Sequence, residues 1–293
     1  MEIKIAATAG FCFGVKRAVR MATEAVKKYP AQPIYTLGPI IHNPQVVEQL
    51  ATQGIKQLDL LADDIPPGVI IIRSHGINRQ ILEKLKSRAD ISLVDATCPF
   101  VHRAQKIVAR MSRENYQIII VGEHNHPEVA GLLSYGKPAT THAISGPEEI
   151  TKILSAKNKK ANNKMALLAQ TTQSYENYAA VANCLLAHKG ETRCFNTICD
   201  ATSARQEESL HIAAESDCML IIGGYASANT TRLYQLCRTI LPQAYHIEKP
   251  EQLQPTWFQN SKRVGITAGA STPKWLIDKI VDRIIQLTDN NNH

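Results

Sequence analysis

Aromatic residues are scarce in this chain, at 5% of its 293 positions, and its basic residues are scattered rather than massed. No apolar run approaches the roughly 20 residues of a membrane span. The longest, such as "QIIIVG", are strand-sized. No loop carries the GxxxxGK[ST] pattern of a nucleotide P-loop, and no strand runs into GxGxxG. A bound anion is therefore not expected to be ATP or NAD. The seven cysteines form neither a CxxC pair nor a short-spaced zinc-finger pattern. In a reducing compartment an odd, unpatterned set favours thiols or metal ligands over bridges. The opening "MEIKIAATAG" has no signal-peptide layout, so a cytoplasmic location is expected.

Charge decides little. The net charge is +7 and the pI near 9.0, yet the one dense cluster is "KNKK" (Lys157 to Lys160). A small anionic substrate or an acidic partner protein accounts for the balance as well as nucleic acid does. With scattered basic residues and few aromatics no nucleic-acid partner is expected, and with no span-length apolar run no membrane partner.

What the chain does have is alternation. Short apolar, β-branched runs ("EIKIAAT", "PIYTLG", "GVIIIRS", "DISLVDA", "YQIIIVG", "KMALLAQ", "CMLIIGG", "RVGITAG") alternate with amphipathic segments such as "VKRAVRMATEAVKKY" and "VHRAQKIVARMSREN". That pattern predicts an α/β protein with doubly wound parallel sheets. The C-terminal "TDNNNH" reads as the end of a disordered tail over residues 286–293.

Three cysteines share a context. "GFCFGVKRAV", "DATCPFVHRAQKIV" and "TICDATSARQEE" each place one just ahead of a helix, where the N-terminal field favours a thiolate. Cys12 and Cys98 are followed by Val15 and Val101, then by Arg17 and Arg103; Cys199 has Thr202 and a shifted Arg205. The three are separated by about one small α/β domain each. This predicts three similar strand–Cys–helix units, with domains at 14–97, at 98–194, and at 1–13 joined to 195–285. Cys184, Cys194, Cys218 and Cys237 lack that context and read as core or incidental residues.

Ligands of open α/β sheets bind beyond the carboxyl ends of the strands. The residues at those ends are His42 in "GPIIHNP", His75 in "RSHG", His126 and Glu128 in "GEHNHPEV", and Thr171 and Thr172 in "AQTTQS". Ser227 and Asn229 follow in "GGYASANTT", and Ser271 in "TAGASTP". Taken singly, each is equally an ordinary N-cap, turn or surface residue. Together, hydroxyls, an amide and imidazoles beside helix N-termini suit a phosphate or diphosphate. His102 and His124 have no matching context.

Taken in order, "TAGFCFGVKRAV", "GPIIHNP", "SHG", "DATCP", "HPEV", "QTT" and "TAGAS" resemble the 4-hydroxy-3-methylbut-2-enyl diphosphate reductase family, from the first strand to about residue 285. The resemblance implies three α/β domains in a trefoil around a central iron–sulfur cluster. It further implies removal of an allylic hydroxyl from that diphosphate, with two electrons and protons, to give isopentenyl and dimethylallyl diphosphates. Cys12, Cys98 and Cys199 fall on the family's three ligands of a 4Fe-4S cluster, leaving one iron open. His42, His75, Ser227, Asn229 and Ser271 match diphosphate-binding positions. His126, Glu128 and Thr171 match residues around the reacting end, with Glu128 as the acid. The electron donor is expected to be a ferredoxin or flavodoxin. One position departs: the family usually reads Ser-Ser-Asn where this chain has Ser227-Ala228-Asn229. On the residues alone, a zinc enzyme with three cysteines and an open position and a non-enzymatic iron–sulfur sensor stay open as rivals.

Overall fold

The structure, a computed structural model, describes residues 1–58, 65–150, 153, 164–187 and 190–289. The lysine cluster at 157–160 lies outside them. In chain order the regular elements begin with β1 (Glu2–Ile5), α1 (Phe13–Lys28), β2 (Ile34–Leu37), α2 (Pro44–Thr52), β3 (Ile55–Leu58), β4 (Gly68–Ile72), α3 (Arg79–Lys86) and β5 (Ile91–Asp95). Next come α4 (Pro99–Arg113), β6 (Gln117–Val121), α5 (Pro127–Leu133), β7 (Thr141–Ile144), β8 (Lys164–Ala169), α6 (Tyr175–Leu185) and β9 (Glu191–Cys194). The last are α7 (Asp200–Ala214), β10 (Cys218–Ile222), α8 (Ala228–Ile240), β11 (Ala244–Ile247), β12 (Arg263–Ala268) and α9 (Lys274–Asp289).

The strands form three four-stranded sheets, parallel throughout. Their orders are β3-β2-β4-β5, β7-β6-β8-β9 and β11-β10-β12-β1. One plan serves all three. The chain enters at an inner strand (β2, β6, β10), steps outward (β3, β7, β11), crosses to the second inner strand (β4, β8, β12) and ends on the far edge. For the third sheet that edge is supplied by the N-terminal strand β1.

Two compact units result. One comprises Met1–Lys16, Ile41–Gln49 and the chain from Asp200 on, and carries the sheet of β1 and β10–β12. The other, Arg17–Ile40 with Leu50–Cys199, carries the other two sheets. The inner strands are near-continuous apolar runs because both faces are covered. In the second sheet Ile118, Ile120, Ala166 and Leu168 pack under α4 and α5, while Ile119, Val121, Met165 and Leu167 pack under α6. In the third, Met219 and Ile221 meet α7 and α8, and Leu220, Val264 and Ile266 meet α9. Each such fully buried Val, Leu, Ile or Met side chain contributes about 1.5–3 kcal/mol.

The disordered tail expected over 286–293 is corrected for its first four residues. α9 runs through Asp289, so residues 286–289 are helical, and 290–293 lie outside the described residues. Buried Ile280 and Ile284 hold the last turns against the sheet, which the polar ending conceals.

Candidate functional site

The candidate residues sit in, or in the first turn of the helix after, three kinds of loop, each occurring three times. The first kind follows the first inner strand of each sheet. From Leu37 to His42, Val121 to His126 and Ile222 to Ser227, the interval is five residues every time. A glycine opens each loop, and Gly38, Gly122 and Gly223 donate their N–H to the carbonyls of Leu58, Ile144 and Ile247 respectively. Each loop ends in a helix start. His126 and Ser227 are themselves N-caps: the His126 ring accepts from the Glu128 N–H (3.1 Å) and Ser227 Oγ from the Thr230 N–H (3.4 Å).

The second kind follows the other inner strand and carries His75, Thr171 and Ser271. The same tight turn closes all three: Gly76, Gln173 and Thr272 donate to Arg73, Gln170 and Gly269. Gly76 has φ +73°, a left-handed backbone that strains any residue with a Cβ, so the turn requires the glycine of "SHG".

The third kind leaves the edge strand and carries the cysteines. The N–H groups of Cys12, Cys98 and Cys199 donate to the carbonyls of Ala270 (3.1 Å), Ser74 (2.9 Å) and Thr171 (3.0 Å). Each acceptor stands two residues beyond the end of the neighbouring inner strand. The three cysteines are thus structural equivalents, each immediately preceding a helix, and none of the seven cysteines is in a disulfide. The Val15 N–H points at Cys12 Sγ (3.5 Å), a backbone donor from the first turn of α1 aimed at the sulfur. Soft sulfur donors at three equivalent helix starts fit an iron–sulfur cluster. Cys218 and Cys237 are buried in the core of the third sheet, where burial pushes both thiols up to about 12. That environment suits packing.

In the unit built on β1 and β10–β12, three candidates meet. Ser271 Oγ donates to the His42 carbonyl (3.0 Å) and lies 3.5 Å from Ser227 Oγ. In the first turn of α8, Asn229 is buried, and neither its side-chain oxygen nor its nitrogen has a hydrogen-bond partner among the described residues. An orphaned buried amide costs about 1–3 kcal/mol, and a ligand able to both accept and donate relieves it. Ala228 is buried beside it.

In the other unit the central residue is Glu128. It is 1% exposed, and both carboxyl oxygens accept from Thr171, one from the N–H and one from the hydroxyl, each at 2.7 Å. Burial outweighs these hydrogen bonds and raises its pKa to about 7. Thr171 is also the carbonyl partner of Cys199, so Glu128, Thr171 and Cys199 form one hydrogen-bonded chain. The His75 and His126 rings stand edge to face, with centroids 5.6 Å apart.

Some functional geometry escaped the sequence. The pairing of Arg17 with Arg103 is not structural equivalence. Arg17 on α1 donates to the Thr97 and Asp95 carbonyls, just ahead of Cys98. Its counterpart is the shifted Arg205 on α7, which donates to the Thr8 and Gly10 carbonyls, just ahead of Cys12. Arg103 is exposed. His102 bridges Asp95 (3.2 Å) and Gln105 (3.1 Å). The Asp95 hydrogen bond holds its imidazole above the usual histidine range. His124 pairs with Glu149 at 3.0 Å.

Thiols at helix starts, a hydroxyl–amide cluster in one unit and, in the other, a buried carboxyl with its pKa raised to about 7, all at the ends of parallel strands, are the marks of an α/β enzyme. The chain belongs to the LytB protein family, whose model matches residues 3–285. It is 49% identical to the 4-hydroxy-3-methylbut-2-enyl diphosphate reductase of Geobacter sulfurreducens, over 97% of both chains. It is 47% identical to that of Geotalea uraniireducens, over all of both. Among solved structures it resembles (E)-4-hydroxy-3-methyl-but-2-enyl diphosphate reductase, the terminal enzyme of the non-mevalonate pathway (43% identity, 98% of this chain and 100% of that one, TM-score 0.70). The E-1-hydroxy-2-methyl-but-2-enyl-4-diphosphate reductase of Plasmodium falciparum matches at 29% identity, 96% and 87% coverage and TM-score 0.86.

Proposed function

We propose that this chain catalyses the reductive dehydroxylation of 4-hydroxy-3-methylbut-2-enyl diphosphate, yielding isopentenyl and dimethylallyl diphosphates and water for isoprenoid synthesis in the cytoplasm. The observation that carries the reading is the Glu128–Thr171–Cys199 chain, which ties a buried proton donor to a thiol loop. Cys12, Cys98 and Cys199 would hold a 4Fe-4S cluster with one open iron, which supplies electrons singly and a Lewis-acidic site.

The protein's own groups do the rest. Ser227, Asn229 and Ser271, with His42 and His75, bind the diphosphate; the orphaned Asn229 amide and the paired hydroxyls support this role. Glu128 gives a proton to the allylic oxygen as the C–O bond breaks, so that oxygen leaves as water. A second proton and the two electrons complete a C–H bond at one or the other end of the allyl fragment. Thr171 fixes both oxygens of Glu128. The His126 ring nitrogen that caps Glu128 accepts a hydrogen bond, so a neutral ring carries its proton on the other nitrogen, where it orients the hydroxyl end. The two electrons arrive one at a time from a ferredoxin or flavodoxin.

The test is anaerobic turnover of the hydroxylated diphosphate with a small one-electron donor. Formation of both five-carbon diphosphates is expected; an untouched substrate with a loaded cluster overturns the reading.

Ala228 sets a smaller expectation. A hydroxyl bonded to a charged group is worth about 1.5–3 kcal/mol, but the buried Thr230 hydroxyl, unpartnered among the described residues, stands two residues on. Ala228→Ser is therefore expected to tighten diphosphate binding by about fivefold or less, roughly 1 kcal/mol, with kcat nearly unchanged. Calorimetric titration with substrate checks the first and saturating kinetics the second. A large rise in kcat would mean that the pocket as it stands limits catalysis.

A further inference from the structure

The net positive charge is not evenly distributed. α4 carries Arg103, Lys106, Arg110 and Arg113 and no carboxylate anywhere in Pro99–Arg113. α1 carries Lys16, Arg17, Arg20, Lys27 and Lys28 against Glu24 alone. Between them the two helices hold about as much net charge as the whole chain's +7. The third cysteine-led helix, α7, is net acidic, with Asp200, Glu207 and Glu208 against Arg205.

On α4 the four cations are exposed together with Pro99, at intervals of three and four residues, while Val101, Ala104, Val108 and Met111 are buried. They thus form one outward stripe, roughly 20 Å long at 1.5 Å per residue, starting beside Cys98. Some exposed cations elsewhere meet carboxylates, as Lys4 with Glu215, Arg79 with Glu83 and Lys274 with Asp278. Among the described residues no ion pair within 4.0 Å engages any of the four cations of α4. Arg110 and Arg113 sit in the last turn, where the helix dipole favours them, while Arg103 and Lys106 lie outside both terminal turns, where it gives them no support. Helix energetics therefore account for the last two cations and leave Arg103 and Lys106 to be explained by what the stripe meets.

We propose that the exposed face of α4 is the docking surface for an acidic one-electron carrier protein, held by charge complementarity with Arg103, Lys106, Arg110 and Arg113. The proposal rests on the reductase reading, in which Cys98, immediately ahead of α4, is a cluster ligand. Each visit delivers one electron and leaves the carrier oxidised, so two visits serve each hydroxyl removed. Rim charges of this kind set association rate and salt dependence more than the chemistry that follows.

The test compares Arg103→Glu/Lys106→Glu with the wild type and with a control of equal charge change, Lys84→Glu/Lys86→Glu, on the exposed face of α3. The probe is a purified acidic flavodoxin. Its affinity for the cluster-loaded enzyme is measured against salt, and turnover is driven by reduced flavodoxin or by a small dye. For the α4 variant, flavodoxin affinity is expected to fall at least tenfold at low salt, with a flatter salt dependence. Flavodoxin-driven kcat/KM should fall in parallel while dye-driven kcat stays within twofold of the wild type. Unchanged affinity, or an equal loss in the control, overturns the proposal. So does wild-type binding of duplex DNA in place of flavodoxin, lost in the α4 variant. Absence of dye-driven turnover in the wild type sinks the reductase reading instead, and the binding arm still judges the surface.

Discussion

Glu128→Gln is expected to lower kcat by about two orders of magnitude or more while leaving the affinity for the diphosphate close to that of the wild type. Glutamine has the same shape and can still accept from the Thr171 N–H or hydroxyl, both of which now bind the carboxyl at 2.7 Å. What it lacks is an acidic proton, and general acid catalysis contributes about a hundred- to ten-thousandfold. The diphosphate contacts proposed for Ser227, Asn229 and Ser271 do not involve it. The pH profile gives the sharper reading. With burial raising the carboxyl to about 7, the protonated, proton-donating form dominates below that pH and is lost above it. Wild-type kcat should therefore fall on an alkaline limb near pH 7, about tenfold per pH unit once deprotonation is nearly complete. The Gln variant should be slow and flat across the same range. A variant that keeps the alkaline limb, or turns over near the wild-type rate, would assign the proton to another group.

The sequence made all six inner strands legible and hid four of the six edge strands. Its eight apolar runs correspond to β1, β2, β4, β5, β6, β8, β10 and β12. The strands it did not mark are β3 (IKQL), β7 (THAI), β9 (ETRC) and β11 (AYHI), each four residues long and each at a sheet edge. An edge strand keeps part of its surface in water, so it can be polar, and four residues are too few to show a period. The candidate residues were legible for a different reason: strand ends of a parallel sheet are where ligands bind, and those ends could be counted off the apolar runs. The clamps were not. Arg205 spans to Thr8 and Gly10 through a connection of nearly two hundred residues, and nothing local distinguishes it from the exposed Arg103. His102 likewise draws its meaning from Asp95, which lies on the preceding strand and reads in the sequence as an ordinary strand-end acid.

Replacing Cys12, Cys98 or Cys199 singly by Ser is expected to abolish turnover and to strip most of the iron, with the broad visible absorption of the anaerobically purified protein lost in step. Serine preserves the backbone geometry, because the hydrogen bonds to Ala270, Ser74 and Thr171 are made by the cysteine amides and not by the sulfur. Only the soft, ionisable ligand disappears, so loss of iron from a folded variant isolates ligation from packing. The four other cysteines serve as controls of two kinds. Cys194 is exposed and Cys184 half-buried, so their serine variants should match the wild type in iron and stability. Cys218 and Cys237 are fully buried, and placing a hydroxyl there costs about 1–3 kcal/mol. Those variants should melt lower yet hold the same iron per folded chain. Because the three proposed ligands occupy equivalent positions, their losses should be similar in size. A large iron loss at any of the other four would break the assignment. Stoichiometric zinc without iron in the wild type would point to hydrolytic or Lewis-acid chemistry and away from reduction.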